Sequence, residues 1–299
     1  TLNLSGGTLG GTGTVTVSGL TTWTEGAMTD AGTTQANGGL VLSGSGLKDL
    51  TGGRTLANAG TATWTNTAAG NGRIRTGGSA RIENSGLWRD QSAFDNQISA
   101  DFGGTAIFSN TGTYEKSVGT ALTNIFIGFD NTSSGAGSGI VQVQSGTLDL
   151  SGGGTSNGSF SGLAGSTLGL GGGHSLNAAS SVSAANVRFV AGGTNTLAGG
   201  YVATESTAFL GGTSTLSGTV SGVGAALSAS GGIGLFTNAQ AITTDAITIS
   251  GGGALGFSNA GGAAATTLDL SVGTLGGTGT VTVSGQSRTL KVGEWILAI

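Results

Sequence analysis

One histidine, His174, and no cysteine make up the whole stock of imidazole and thiol in this 299-residue chain. Zinc sites and histidine-based triads draw on clusters of such groups. A lone imidazole inside Gly-Gly-Gly-His-Ser reads as a spacer or surface residue. Carboxylates are the remaining candidates, and cleaving a glycosidic bond needs two of them flanking it. Glu83, Asp90, Asp95 and Asp101 form the densest acidic group, but Arg75, Arg81 and Arg89 interleave with them, which predicts ion pairing instead. Asp149 and Asp269 occupy matching Thr-Leu-Asp-Leu motifs and stand 120 residues apart, so they belong to distant parts of any stacked array. Asp130-Asn131 could contribute to a weak calcium site. The Gly/Asp nonapeptide of calcium-binding β-rolls is absent, since stretches such as Gly273–Gly279 lack the aspartate. Gly-x-Gly-x-x-Gly strings arise by chance among 63 glycines and mean nothing outside a strand–helix context. These residues predict a protein that is not an enzyme, with no cofactor beyond that calcium site.

Charge is concentrated instead in residues 73–116, which hold ten of the chain's 24 acidic and basic side chains. Leading into and through this stretch, Asn58-Ala59-Gly60, Asn84-Ser85-Gly86 and Asn110-Thr111-Gly112 recur at 26-residue steps, with Leu56, Ile82 and Phe108 two residues ahead of each asparagine. Shifting by 26 sets Arg75 over Asp101, Arg89 over Glu115 and Asp90 over Lys116, so ion pairs between successive repeats are expected. Each is worth about 1 kcal/mol at most if exposed. The asparagines mark turns, because Asn and Gly tolerate left-handed backbone, or in a sharper form build a ladder of stacked amides. Arg75, Trp88, Arg89, Asp90, Asp101, Tyr114, Glu115 and Lys116 are the candidate contact face. The alternatives are solvated loops for the charges and a core ladder for Trp88 and Tyr114.

The elements that must position these residues are strands. Apolar residues alternate with Thr, Ser and Asn in bursts such as Thr14-Val15-Thr16-Val17, Ile140-Val141-Gln142-Val143 and Ala246-Ile247-Thr248-Ile249. Glycine closes each burst. Period-two alternation ended by turn residues is a strand signal, and no segment carries a helical stripe. The absence of proline suits a body that is nearly all paired strand. With 36% hydrophobic residues and a net charge of −4, the chain is neither a disordered polyelectrolyte nor a nucleic-acid binder. No apolar run approaches the roughly 20 residues of a membrane span.

Residues 1–19, TLNLSGGTLGGTGTVTVSG, match residues 267–285, TLDLSVGTLGGTGTVTVSG, at 17 of 19 positions. A weaker copy, TLDLSGGG, starts at Thr147. One inward apolar position per burst gives Leu4, Trp23, Leu42, Ala62, Trp88, Tyr114, Val141, Leu168, Phe189, Phe209, Ala229, Ile249 and Leu270. The steps of 19–27 residues average about 22, a period that signals a stacked array. The expected fold is all-β, a parallel β-helix (β-solenoid) of about 12–13 rungs. It forms one continuous body over residues 1–285, with longer 26–27-residue rungs at about 62–168. Residues 286–299, with Leu290, Val292, Trp295 and Ile296, depart from the pattern as a terminal cap or inter-subunit contact segment. The chain starts at Thr1 in mid-pattern and reads as part of a longer one.

The TLxLSGG, GTxTVxVSG and NxGTxxW/Y rungs resemble the passenger domains of bacterial autotransporters and the filamentous-haemagglutinin-like exoproteins. They also resemble giant Gly/Ser/Thr/Asn-rich surface proteins of environmental bacteria. That resemblance extends to about residue 285. It implies the right-handed helix, export to the cell surface or medium, and roles in adhesion, biofilm matrix or filaments. It carries over no site residues. The expected partners are a second copy, joined end to end through Thr1–Gly7 and Arg288–Ile299, and a glycan or protein of a host surface or matrix. A carbohydrate-active β-helix enzyme and an ice-binding solenoid are the competing readings. The latter rests on Thr14/Thr16, Thr21/Thr22/Thr24 and Thr61/Thr63/Thr65, which later rungs do not maintain.

Overall fold

Bursts of about four alternating residues are too short to hold a sheet partner within their own turn of chain. Each instead pairs with the strand one turn below and one turn above. The computed structural model describes residues 1–289, and every regular element among them is a β-strand in parallel register. One turn reads Arg81–Asn84 on face A, Leu87–Asp90 on face B and Asn96–Ser99 on face C, before Ile107–Asn110 returns to face A. The chain is a parallel β-helix, a three-faced solenoid of about 14 turns. At the usual strand spacing this stack is about 67 Å long.

Face A is a ladder of thirteen strands from Thr14–Val17 to Gly273–Gly276. Faces B and C belong to one sheet, because strands such as Thr21–Met28, Ser181–Val190, Gly200–Phe209 and Ile242–Ile249 run through the corner between them. Inward positions stack like on like. Leu56, Ile82, Phe108 and Phe129 are register partners on face A and are fully buried. On face C, Phe189 and Phe209 stack with centroids 4.8 Å apart. Each such burial contributes about 1.5–3 kcal/mol. No side of a lone turn has this cover, so stability accumulates by stacking.

The corners explain the Asn-x-Gly recurrence. At Gly86 a Cβ would overlap the Gly60 carbonyl of the turn below, and at Gly112 it would overlap that of Gly86. Glycine is required there by close approach of backbone to backbone.

Three expectations of register change. Leu42 pairs with Trp64, and Ala62 pairs with Leu40. Val141 pairs with Phe160, so the long 26–27-residue steps on face B end there and not at 168. Leu168 lies on face C, between Leu148 and Val187. The single inward column read from sequence therefore begins on face B and ends on face C. The matching segments show the same slip. Leu2–Leu4 sit on face B and Thr14–Val17 on face A. Their counterparts Leu268–Leu270 sit on face C and Val281–Val283 on face B. The duplicated motif is displaced by one face, a third of a turn. The segment 290–299, with Leu290, Val292, Trp295 and Ile296, lies outside the described residues.

Candidate functional site

The long turns between Ala62 and Val141 hold eleven of the chain's 24 acidic and basic side chains, and strand parity sorts them. Alternate residues of a strand point to opposite sides, so Trp88 and Asp90 share the interior while Arg89 faces out. One turn later Tyr114 and Lys116 point inward and Glu115 outward. The eight residues expected to form one contact face thus divide. Trp88, Asp90, Tyr114 and Lys116 are fully buried and take no part in a surface. Arg89 and Glu115 lie outside face B, and Arg75 and Asp101 lie outside face C.

On the outside, charges pair along the axis. Arg89 Nε donates to Glu115 Oε1 at 3.0 Å. Arg75 does not take Asp101. Its Nε and Nη2 donate to Asp49 on the preceding turn, both at 2.7 Å, and Asp101 accepts from Arg73 at 3.1 Å. The fork on Asp49 holds the Arg75 guanidinium above its ordinary range. Ile74 pairs with Ile98 over a 24-residue step, which sets Arg75 opposite Ser99. The Arg75 guanidinium also lies 5.0 Å over the ring of exposed Phe102. Arg188 reaches two turns back to Asp149 at 2.6 Å. Gly169 lies between them and leaves the room, since a Cβ there would overlap Asp149 Oδ1. Five of the six ion pairs among the described residues join different turns; only Arg81–Glu83 stays within one strand.

On the inside, Asn58, Asn84 and Asn110 form the amide ladder, and Asn131 extends it. Each Nδ2 donates to the next Oδ1 at 2.8 Å. The same nitrogens also donate to the corner carbonyls of Gly60, Gly86 and Gly112. Asn131 is therefore committed inward, while Asp130 Oδ1 accepts from Thr155 N and Oγ1 at 2.7 and 3.0 Å. The two do not converge on a cation. No group of three or more His, Cys, Asp or Glu is placed to hold a metal among the described residues.

Beside the ladder lies a closed ionic cluster. Lys116 Nζ is 3.6 Å from Asp90 Oδ2, with neither side chain exposed. Lys116 Nζ donates to Thr123 Oγ1 at 3.1 Å, and Thr123 Oγ1 donates to Asp90 Oδ2 at 2.6 Å. The Tyr114 hydroxyl donates to the same oxygen at 3.4 Å, and Ser92 N–H donates to Oδ1 at 3.0 Å. Burial, with Asp90 alongside, pushes the Tyr114 phenol well above its usual range. The other carboxylates of the acidic group point elsewhere: Glu83 binds Arg81 and Asp95 accepts from Leu122 N. They do not flank a common groove.

His174 is not a surface spacer. It is buried on face A, with Nε2 3.0 Å from Leu150 O, and Nδ1 has no partner. Burial lowers its pKa to about 4. Residues Gly154–Gly158 spell a Gly-x-Ser-x-Gly string, but Ser156 Oγ donates to Asn131 O at 2.8 Å inside the coil and does not meet the imidazole. Two further cations, Lys48 and Arg54, are buried in the coil. Lys48 donates to Thr24 O and Gly46 O, both at 3.1 Å, and burial brings its pKa down to about 8. Arg54 donates to Thr34 Oγ1 and Gly11 O. Parity was the available signal: Lys48 and Leu50 share a side, as do His174 and Leu176.

The outward threonines do not form a persistent array. The register partners of Thr14 and Thr16 are Thr33 and Gln35, then Thr55 and Ala57, then Arg81 and Glu83. No helix among the described residues is long and apolar enough to cross a membrane. Compared with known proteins, the chain matches no family model, no curated protein and no solved structure.

Proposed function

We propose that the chain is an extracellular structural and adhesive rod, a module of a large repetitive bacterial surface or secreted protein. The observation that carries this reading is the direction of the side-chain chemistry. Interior amides, the buried ion pair and the outer charges are joined from turn to turn along the axis, the direction in which a spacer bears load. The half-exposed Phe102 and Phe126, in the same long turns as the Arg75–Asp49 fork, offer aromatic contact to a matrix glycan or protein. The resemblance of the rungs to bacterial exoproteins supports export and surface display.

Beads coated with the purified chain test this. Retention on a bacterial or host-matrix surface that falls when Phe102 and Phe126 are both replaced by serine supports it. Equal retention of the double variant, or turnover of a polysaccharide panel by the intact chain, overturns it.

A further inference from the structure

We propose that Asp90 and Lys116 join through an amide bond, a covalent staple between two successive turns of a chain that has no cysteine. The cluster holds every part that such a condensation needs. The nucleophile, Lys116 Nζ, lies against the carboxyl group it would attack, at 3.6 Å from Oδ2. Asp90 and Lys116 are register partners, so the fold itself maintains this proximity, and held proximity supplies a large part of the barrier reduction in reactions of this kind. The Ser92 amide sits on Oδ1 at 3.0 Å, where negative charge builds as the tetrahedral centre forms. The Thr123 hydroxyl bridges the attacking nitrogen and the departing oxygen, at 3.1 and 2.6 Å, the geometry of a proton relay.

Enclosure completes the arrangement. Neither Asp90 nor Lys116 is open to solvent, and Trp88, Phe108 and Tyr114 pack edge to face in the same buried interior, so bulk water does not compete for the carboxyl carbon.

The balance closes without an oxidant or co-reactant. A proton moves from Lys116 to Asp90 within the pair, leaving amine and carboxylic acid. Nζ attacks Cγ, forming the N–C bond. A second proton passes from Nζ to Thr123 Oγ1 as Thr123 gives its own to Oδ2. The Cγ–Oδ2 bond breaks and Oδ2 leaves as water. The staple holds whatever the outer surface binds, so its test is independent of the proposed function.

Mass spectrometry of the intact, denatured protein decides. The expected mass is short of the sequence mass by one water, and proteolysis yields one branched peptide that joins the Asp90 and Lys116 segments. Lys116→Arg keeps a cation opposite Asp90 and restores the full mass. Thr123→Val, which keeps the side-chain volume, slows the appearance of the branched species after refolding by about a hundredfold or more. A full-mass wild-type protein with two separate linear peptides overturns the staple, as does a water deficit traced to a cyclised aspartate. An unchanged rate in Thr123→Val overturns the relay.

Discussion

The long turns between Ala62 and Val141 and the short turns between Phe189 and Leu270 solve the same stacking problem with different materials. In the long turns, Thr55, Arg81, Ile107 and Gly128 succeed one another on face A over 26, 26 and 21 residues. Slack is taken up at the corners, and the interior carries four linked asparagines and an ion pair. In the short turns, Phe189, Phe209, Ala229, Ile249 and Leu270 succeed one another over 20, 20, 20 and 21 residues. Strands there run through the B–C corner, the inward columns are predominantly apolar, and Glu205, Asp245 and Asp269 are the only charges after Arg188 up to Leu270. Apolar contact is indifferent to a slip by two residues, whereas an amide or ion pair is not. Directional bonds thus hold register where turn length varies, and apolar columns suffice where it is constant.

The largest effect is expected in the short turns. Phe209 packs on Phe189 below and meets Phe236 edge-on at 6.0 Å. Phe209→Ala should cost about 3–5 kcal/mol, read by urea unfolding. Hydrogen exchange should show the loss confined to turns within reach of residue 209, because each turn contacts only its neighbours. A cost under about 1 kcal/mol would break the claim that apolar columns carry this segment.

Next comes His174, between the two segments. Its pKa of about 4 in the folded chain stands against an ordinary value near 6.5. Above both values neither state binds the proton. Between them the unfolded chain binds it and the folded chain does not, so stability falls as pH drops from about 6.5 to about 4. The loss approaches about 3 kcal/mol. His174→Leu should flatten that limb of the stability–pH curve. An unchanged limb would mean that another group sets it.

Asn84→Ala sharpens the comparison from the other side. It strips the donor from Asn110 Oδ1 and removes the bond to Thr113 O, at 2.8 and 3.0 Å in the native ladder. Leaving one buried acceptor unpaired costs about 2 kcal/mol, less than Phe209→Ala. Yet Asn84→Ala should blur register across the 81–113 turns, visible as faster amide exchange at Leu87 and Thr113. Confined exchange, with neighbouring turns untouched, would show that the amides add stability without fixing register.

Much of this architecture was legible in the sequence. Alternation gave the strands, and the 26-residue recurrence of Leu56/Asn58, Ile82/Asn84 and Phe108/Asn110 gave their stacking. What failed was the use of parity for charged residues. Asp90 sits two residues after Trp88, and Lys116 two after Tyr114, so each pair shares a side. Their charge argued for solvent, but pairing across turns overrode it. His174 hid in the same way, two residues before Leu176. A uniform 26-residue step points Arg75 at Asp101, but corner residues change the step to 24 between Ile74 and Ile98. The one-face displacement of the duplicated motif was invisible for a deeper reason. All three faces ask for the same alternation and the same glycine corners, so sequence alone does not label a face.

The smallest effect concerns the outer charges. Arg89 and Glu115 are register partners and bond at 3.0 Å, with 38% of the arginine side chain open to solvent. Water and ions already stabilise the arginine charge there, and holding two long side chains in one geometry costs entropy. Arg89→Met keeps most of the stem that lies on face B and removes only the charge. The expected loss is below about 1 kcal/mol, shrinking further at about 1 M salt. Asp90 and Lys116, one residue further along the same two strands, are closed to solvent and should show no such salt dependence. Equal salt sensitivity of the two positions would mean that the interior of the long turns is wet, and the contrast between the segments would collapse to one of turn length alone.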